Sequence, residues 1–213
     1  MGRKYASYHI PNNEKSDDLE SLKEIYNVKS ADKNQYEQAA EVFTNPIARD
    51  MMNRFLSIYK NTVNVIITER FISVYDSALS FGTINEETKR FSKKIRAPIF
   101  YVSNFDDDVL LLGCVQSGKT IARKHIGQGL TEYGIQPIKS TIHLLPKLEG
   151  FSFLKSGTTF ETTDSISECE ASIECEFQIY LAMPFEDVQA QPNYIRLVDD
   201  NDTLKIYRYM NVP

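Results

Sequence analysis

The 213-residue chain contains no stretch of the roughly 18–20 apolar residues that a membrane-spanning helix requires. Its opening, MGRKYASYHIPNNEKSDD, has no apolar centre of the kind a signal peptide needs, and Ala6 stands where a myristoylation signal needs Ser or Thr. Cysteine is scarce. Cys114, Cys169 and Cys175 are an odd number in a chain too large to need disulfide staples, which predicts reduced thiols and a cytoplasmic setting. Histidine is equally sparse: His9, His125 and His143 stand singly, and Cys-x5-Cys is not a zinc spacing, so no metal and no cofactor is expected. Positive charge is not in excess. Lys plus Arg number 24 against 29 Asp plus Glu, a net charge of −5. That balance argues against a dedicated nucleic-acid binder, which needs a basic face for phosphates, and is compatible with a basic protein partner. No G-x-S-x-G, no repeat of 20–50 residues and no low-complexity run is present.

What is present is the composition of an ordinary globular chain, 42% apolar and 25% charged. YASYHI (5–10) alternates and is stopped by Pro11, which predicts a first strand. Ser16 precedes a helical pattern through Leu19, Leu22, Ile25 and Tyr26; a second runs from about Asp32 to Phe43. Asn45-Pro46 caps a third, with Ile47, Met51, Phe55, Ile58 and Tyr59 on its buried face. VNVIITERFISVYD (63–76) reads as two strands around Thr68-Glu69-Arg70. Thr83-x-x-Glu86 reads as a capping box opening a helix through Ile84, Thr88, Phe91 and Ile95, which Pro98 stops. Further strands come next at PIFYVSNF and VLLLGCV.

After about residue 130 the pattern weakens, then IECEFQIYLAM alternates. Cys175, Phe177, Ile179, Leu181 and Met183 point one way and Glu174, Glu176, Gln178 and Tyr180 the other, which predicts a half-buried strand. YIRLV and LKIYRYMNV flank DDNDT as a terminal hairpin. The expected architecture is α+β: a mainly antiparallel sheet with helices on one face, of ferredoxin-like flavour, over 1–130, and a β-rich extension over 131–213 that packs on it with C-terminal antiparallel strands.

One segment spells a phosphate-binding loop. Gly113, four residues, then Gly118-Lys119-Thr120 fit G-x-x-x-x-G-K-[ST] behind the apolar run VLLL. Such a loop needs a helix starting at Gly-Lys-Thr, because the helix N-terminus is part of the anion site. Here the next residues are TIARKHIGQG, in which Ile121, Arg123 and His125 alternate with Thr120, Ala122, Lys124 and Ile126, and Gly127 and Gly129 interrupt any helix. The best acidic residue for a magnesium shell, Asp199, ends a strand carrying Arg196 and is succeeded by turn residues. A β-hairpin turning at Gln116–Lys119 therefore explains more residues than a nucleotide site on Gly113, Gly118, Lys119 and Thr120, which stays as the alternative.

SYHI, FISVYD (71–76) and FDDDVLLL (105–112) occur in that order, and together they resemble a family of Firmicutes proteins to which no function is assigned. The resemblance covers roughly residues 1–130. It implies strand-turn-strand at the last block and brings no active site, cofactor or substrate. Asp76 and Asp106-Asp107-Asp108 come after strands and would serve a magnesium-dependent enzyme if they converged; as turn residues they cap strand ends. Tyr180, Tyr207 and Tyr209, with Glu174 and Glu176, would make an acidic, tyrosine-bearing surface of the kind that binds proteins. The expectation is a cytoplasmic, non-enzymatic binding protein of a Gram-positive bacterium, of immunity or inhibitor type, with a basic protein partner and neither nucleic acid nor membrane.

Overall fold

The structure is a computed structural model that describes residues 4–13, 17–26, 63–127, 130–182, 194–197 and 204–209. The helices expected from Asp32 to Phe43 and after Pro46, together with Ser16, Met183 and Asp199, lie outside the described residues. Among the described residues eight strands form one sheet: β1 (Lys4–Pro11), β2 (Val63–Ile67), β3 (Phe71–Asp76), β4 (Ile99–Phe105), β5 (Val109–Gln116), β6 (Lys119–Gly127), β7 (Tyr194–Leu197) and β8 (Leu204–Tyr209). Their order is β6-β5-β4-β1-β3-β2-β8-β7. The six strands from β6 to β2 pair antiparallel throughout. β8 then adds to β2 in parallel, and β7 pairs antiparallel with β8. The fold is α+β, as the segment pattern predicts.

The helical segments are α1 (18–26), α2 (Ile84–Phe91), α3 (Thr159–Thr162) and α4 (Ile166–Phe177), with a 3-10 turn over Ile142–Lys147. They do not share one face. Strand side chains alternate, so each strand serves two cores. Tyr8, Ile10, Val74, Ile99 and Tyr101 pack with Leu22, Ile25 and Tyr26 of α1 and Ile84 and Phe91 of α2. Phe71, Phe100, Val102, Leu110 and Leu112 pack with Phe160 of α3 and Cys169, Ile173 and Phe177 of α4. The expectation of helices on one face is corrected to three layers. β2 is buried on both faces along its whole length, which is why four of its five residues are Val or Ile, with Asn64 the buried polar exception.

Two local expectations also change. Thr83 precedes α2, but its hydroxyl receives the Ser80 N–H at 3.0 Å instead of capping forward. Glu86 pairs with Lys89 at 2.9 Å instead of reaching back. The helix ends at Phe91, and Ile95 is buried beyond it. The larger correction is α4: the segment read as a strand from Ile173 onward is helical to Phe177. Ser165 caps it by accepting the Glu168 N–H at 3.4 Å. Gln178 ends it in the left-handed region at φ 54°. Cys169, Ile173 and Phe177, spaced by four, form its buried stripe.

Phe177 is the centre of the second core. Its ring lies 4.8 Å from Phe100, 5.5 Å from Phe71 in parallel stacking, and 5.7–6.0 Å from Phe151, Phe153 and Phe160. It is fully buried, and no smaller side chain fills that site. Phe177→Ala is expected to destabilise the chain by about 3–5 kcal/mol in denaturant unfolding, against under about 0.5 kcal/mol for the exposed Ala171→Ser control.

Candidate functional site

The phosphate-loop lookalike is a β-hairpin. β5 runs unbroken through Gly113 to Gln116, which pairs with Lys119, the first residue of β6. Ser117 (φ 50°) and Gly118 (φ 77°) form the two-residue turn, both in the left-handed region that hairpins of this length use. Gly118 N–H donates to Ser92 Oγ at 2.9 Å, and Gln116 Nε2 donates to the Arg96 carbonyl at 3.3 Å, seating the turn beside the end of α2. Gly113 lies opposite Tyr101, whose ring would stand 2.3 Å from a Cβ at that position. Lys119 is an exposed strand residue, and the register shifts so that Val115 faces Thr120 while Cys114 faces Ala122. The helix that a phosphate site requires is replaced by β6, and the Gly113–Gln116 backbone is committed to the sheet ladder rather than wrapped around an anion.

The acidic residues divide between the two faces. Asp76 is buried on the α1 side, where its Oδ2 accepts from Tyr26 Oη at 3.2 Å and its Oδ1 from the Ala78 N–H at 2.9 Å. Asp106 and Asp107 turn the β4–β5 hairpin at φ 58° and 59°. Asp106 pairs with Lys4 at 3.2 Å. Asp107 N–H donates to Asn104 Oδ1 at 3.0 Å, and Asp108 accepts from Tyr133 Oη at 2.9 Å. Asn104 also donates to Glu170 of α4 at 2.6 Å, as does Tyr5 Oη, on the face away from Tyr26. The sheet thus stands between Asp76 and this network. No group of three or more His, Cys, Asp or Glu able to hold a metal occurs among the described residues.

Buried polar groups on β1 and β6 were not legible as partners in the sequence. His9 sits between Ser7 and Ser73, with Nε2 at 3.1 Å from Ser7 Oγ and Nδ1 at 2.9 Å from Ser73 Oγ. Ser7 Oγ donates to the Leu181 carbonyl at 2.8 Å, so its proton is taken. His9 must then donate through Nε2 and accept from Ser73 through Nδ1. That polarity is the reverse of what a histidine base needs to activate Ser7, and Ser73, which does donate to the ring, is buried within the sheet. Burial lowers His9 to about 3, and the ring is neutral. Lys124 is buried on the α3 side, as its place in the alternation requires. Its ammonium uses all three protons on the carbonyls of Phe160 (3.2 Å), Glu161 (3.0 Å) and Thr163. A buried charge so satisfied ties β6 to the end of α3.

The expected protein-binding residues on the second face fall on α4 and on the segment from Gln178 to Leu181. Glu174 is exposed on α4, and its Oε1 accepts the Leu181 N–H at 2.9 Å; Glu176 is half-buried. Tyr180 is 39% exposed, and its carbonyl accepts from Tyr75 Oη at 2.6 Å. Tyr207 and Tyr209 lie in β8, opposite Ile66 and Tyr194, and their side chains are outside the described residues. The signal for α4 that sequence reasoning passed over is Ser165-x-x-Glu168, a capping box ahead of the spacing Cys169, Ile173, Phe177. Comparison with known proteins finds no matching family model, no matching curated protein and no matching solved structure.

The helix also reverses the expectation for the thiols. Cys175, placed inward by the strand reading, is exposed, whereas Cys114 and Cys169 are buried. Burial pushes the Cys169 thiol up to about 12, and it raises Cys114 as well. N-Ethylmaleimide applied to the native chain is expected to modify Cys175 alone, with Cys114 and Cys169 labelled only in denaturant. Peptide mass mapping reads the result, and protection of Cys175 would contradict its place on α4.

Proposed function

We propose that this chain is a non-enzymatic protein-binding module, presenting the outer side of α4 and the adjoining Tyr180 to a basic partner. The supporting observation is the composition and placement of α4: Ile166–Phe177 carries four glutamates and no basic residue. Glu168 and Glu174 are exposed, and Tyr180, also exposed, lies just past the left-handed cap. An aromatic ring beside carboxylates that face no cation on their own helix matches an anchor with an electrostatic rim. The hydrogen bonds Tyr75–Tyr180 and Leu181–Glu174 fix this backbone before binding, which reduces the ordering cost. Tyr207 and Tyr209 extend the same reading to β8.

An immunity or inhibitor role against a basic toxin, in a bacterial cytoplasm, is the setting this reading fits. Among the described residues no helix is long and apolar enough to cross a membrane. The likeness of the first 130 residues to a Firmicutes family belongs with the same proposal.

The test is quantitative capture of partners by immobilised full-length chain, compared with Glu168→Gln/Glu174→Gln/Tyr180→Ala. Gln at 174 keeps an acceptor for Leu181, so the backbone is retained. A specific partner should have a basic isoelectric point and bind the variant at least about tenfold more weakly, roughly 1.4 kcal/mol. It should also be released as ionic strength rises from about 0.1 M to about 1 M, where screening shortens from ~10 Å to ~3 Å. A partner held equally by both proteins, or one indifferent to salt, would overturn the surface assignment.

A further inference from the structure

At the end of the sheet where β1 finishes and β4 begins, a cleft of about 710 Å³ opens. Its size suits a small molecule. Asp18, at the start of α1, forms part of its wall and is 1% exposed. One oxygen, Oδ1, accepts the Arg96 backbone N–H at 2.9 Å. The other, Oδ2, is buried and has no hydrogen-bond partner. A buried carboxylate oxygen left without a donor is costly, and a donor brought by a ligand in the cleft would offset that cost.

The opposite charge lines the same cleft. Arg70 lies over the Phe153 ring, its guanidinium carbon 4.9 Å from the centroid, while Nη1 donates to the Glu176 carbonyl at 3.3 Å. Those two contacts hold the guanidinium in place and leave other N–H groups for a ligand. Arg96 is exposed beside it. Glu69 and Glu149 complete the rim, so three carboxylates and two guanidiniums surround one space.

We propose that this cleft binds a small zwitterion with an excess of positive charge, a free amino acid of the arginine or lysine type. Its ammonium or guanidinium nitrogen donates to Asp18 Oδ2, and its carboxylate meets Arg96 and Arg70, the planar pairing that guanidinium and carboxylate favour. The mixed lining disfavours both alternatives. A plain anion would meet Asp18, Glu69 and Glu149, and a plain cation would leave Arg96 and Arg70 unanswered. The assignment is independent of the α4 surface, since it rests on other residues and another class of ligand.

Calorimetric titration of the full chain with L-arginine and L-lysine tests it, with agmatine (no carboxylate) and L-glutamate as comparison ligands. Saturable binding with Kd below about 1 mM is expected for at least one of the two basic amino acids, with agmatine and glutamate each at least about tenfold weaker. Asp18→Asn and Arg96→Gln should each weaken binding at least about tenfold. Because the Arg96 contact with Asp18 is made by the backbone, Arg96→Gln keeps the fold if Asp18→Asn does not. Absence of saturable binding to both amino acids, equal binding of agmatine, or full retention in Arg96→Gln would each overturn the proposal.

Discussion

The stacking of Phe177 on Phe71 and Phe100 is the contact on which the second half of the chain depends. It holds α4 against a sheet already complete from β1 to β6, and everything between residue 140 and Leu181 is arranged around it. Polar ties at the margin fix its direction. Tyr5 and Asn104 hold Glu170, Lys124 holds the end of α3, and Ser7 holds the Leu181 carbonyl. Each is a buried or half-buried group whose desolvation is met by a specific partner, so the helix docks in one register rather than sliding over an apolar plate.

The six antiparallel strands were legible because each of their determinants is local. Alternation in YASYHI, the break at Thr68-Glu69-Arg70, and the Ser117-Gly118 turn all act within a few residues. The α4 segment was not legible by the same means. Its last residues satisfy both periods: Ile173, Phe177 and Leu181 fit a spacing of four as well as alternate positions. The tie is broken at long range, by burial of Phe177 against strands some 75–105 residues earlier in the chain. Misreading that one segment displaced the helices of the second face, which is why a one-sided sheet was expected and a three-layer one is found. Asp18 was invisible for a different reason, since an acidic residue near a helix start is ordinary until its burial is known.

The residues whose letters suggest chemistry share one explanation. Gly113 makes room for the Tyr101 ring, Gly118 turns a hairpin, Asp106 and Asp107 turn another, and Ser7 with His9 carries a hydrogen-bond chain of the wrong polarity for nucleophilic attack. A motif specifies residue types, whereas function depends on where their backbone amides, protons and charges point. What the interior does not use lies on the outside: the carboxylates and tyrosine around α4, and the mixed-charge cleft at the end of β1.

The central claim, that Gly113–Thr120 is a structural hairpin, is tested most directly by calorimetric titration of magnesium-ATP and magnesium-GTP into the full chain and into Lys119→Ala. A strand beginning at Lys119 predicts no saturable heat for either nucleotide in either protein. Micromolar binding to the wild type that Lys119→Ala abolishes would contradict it.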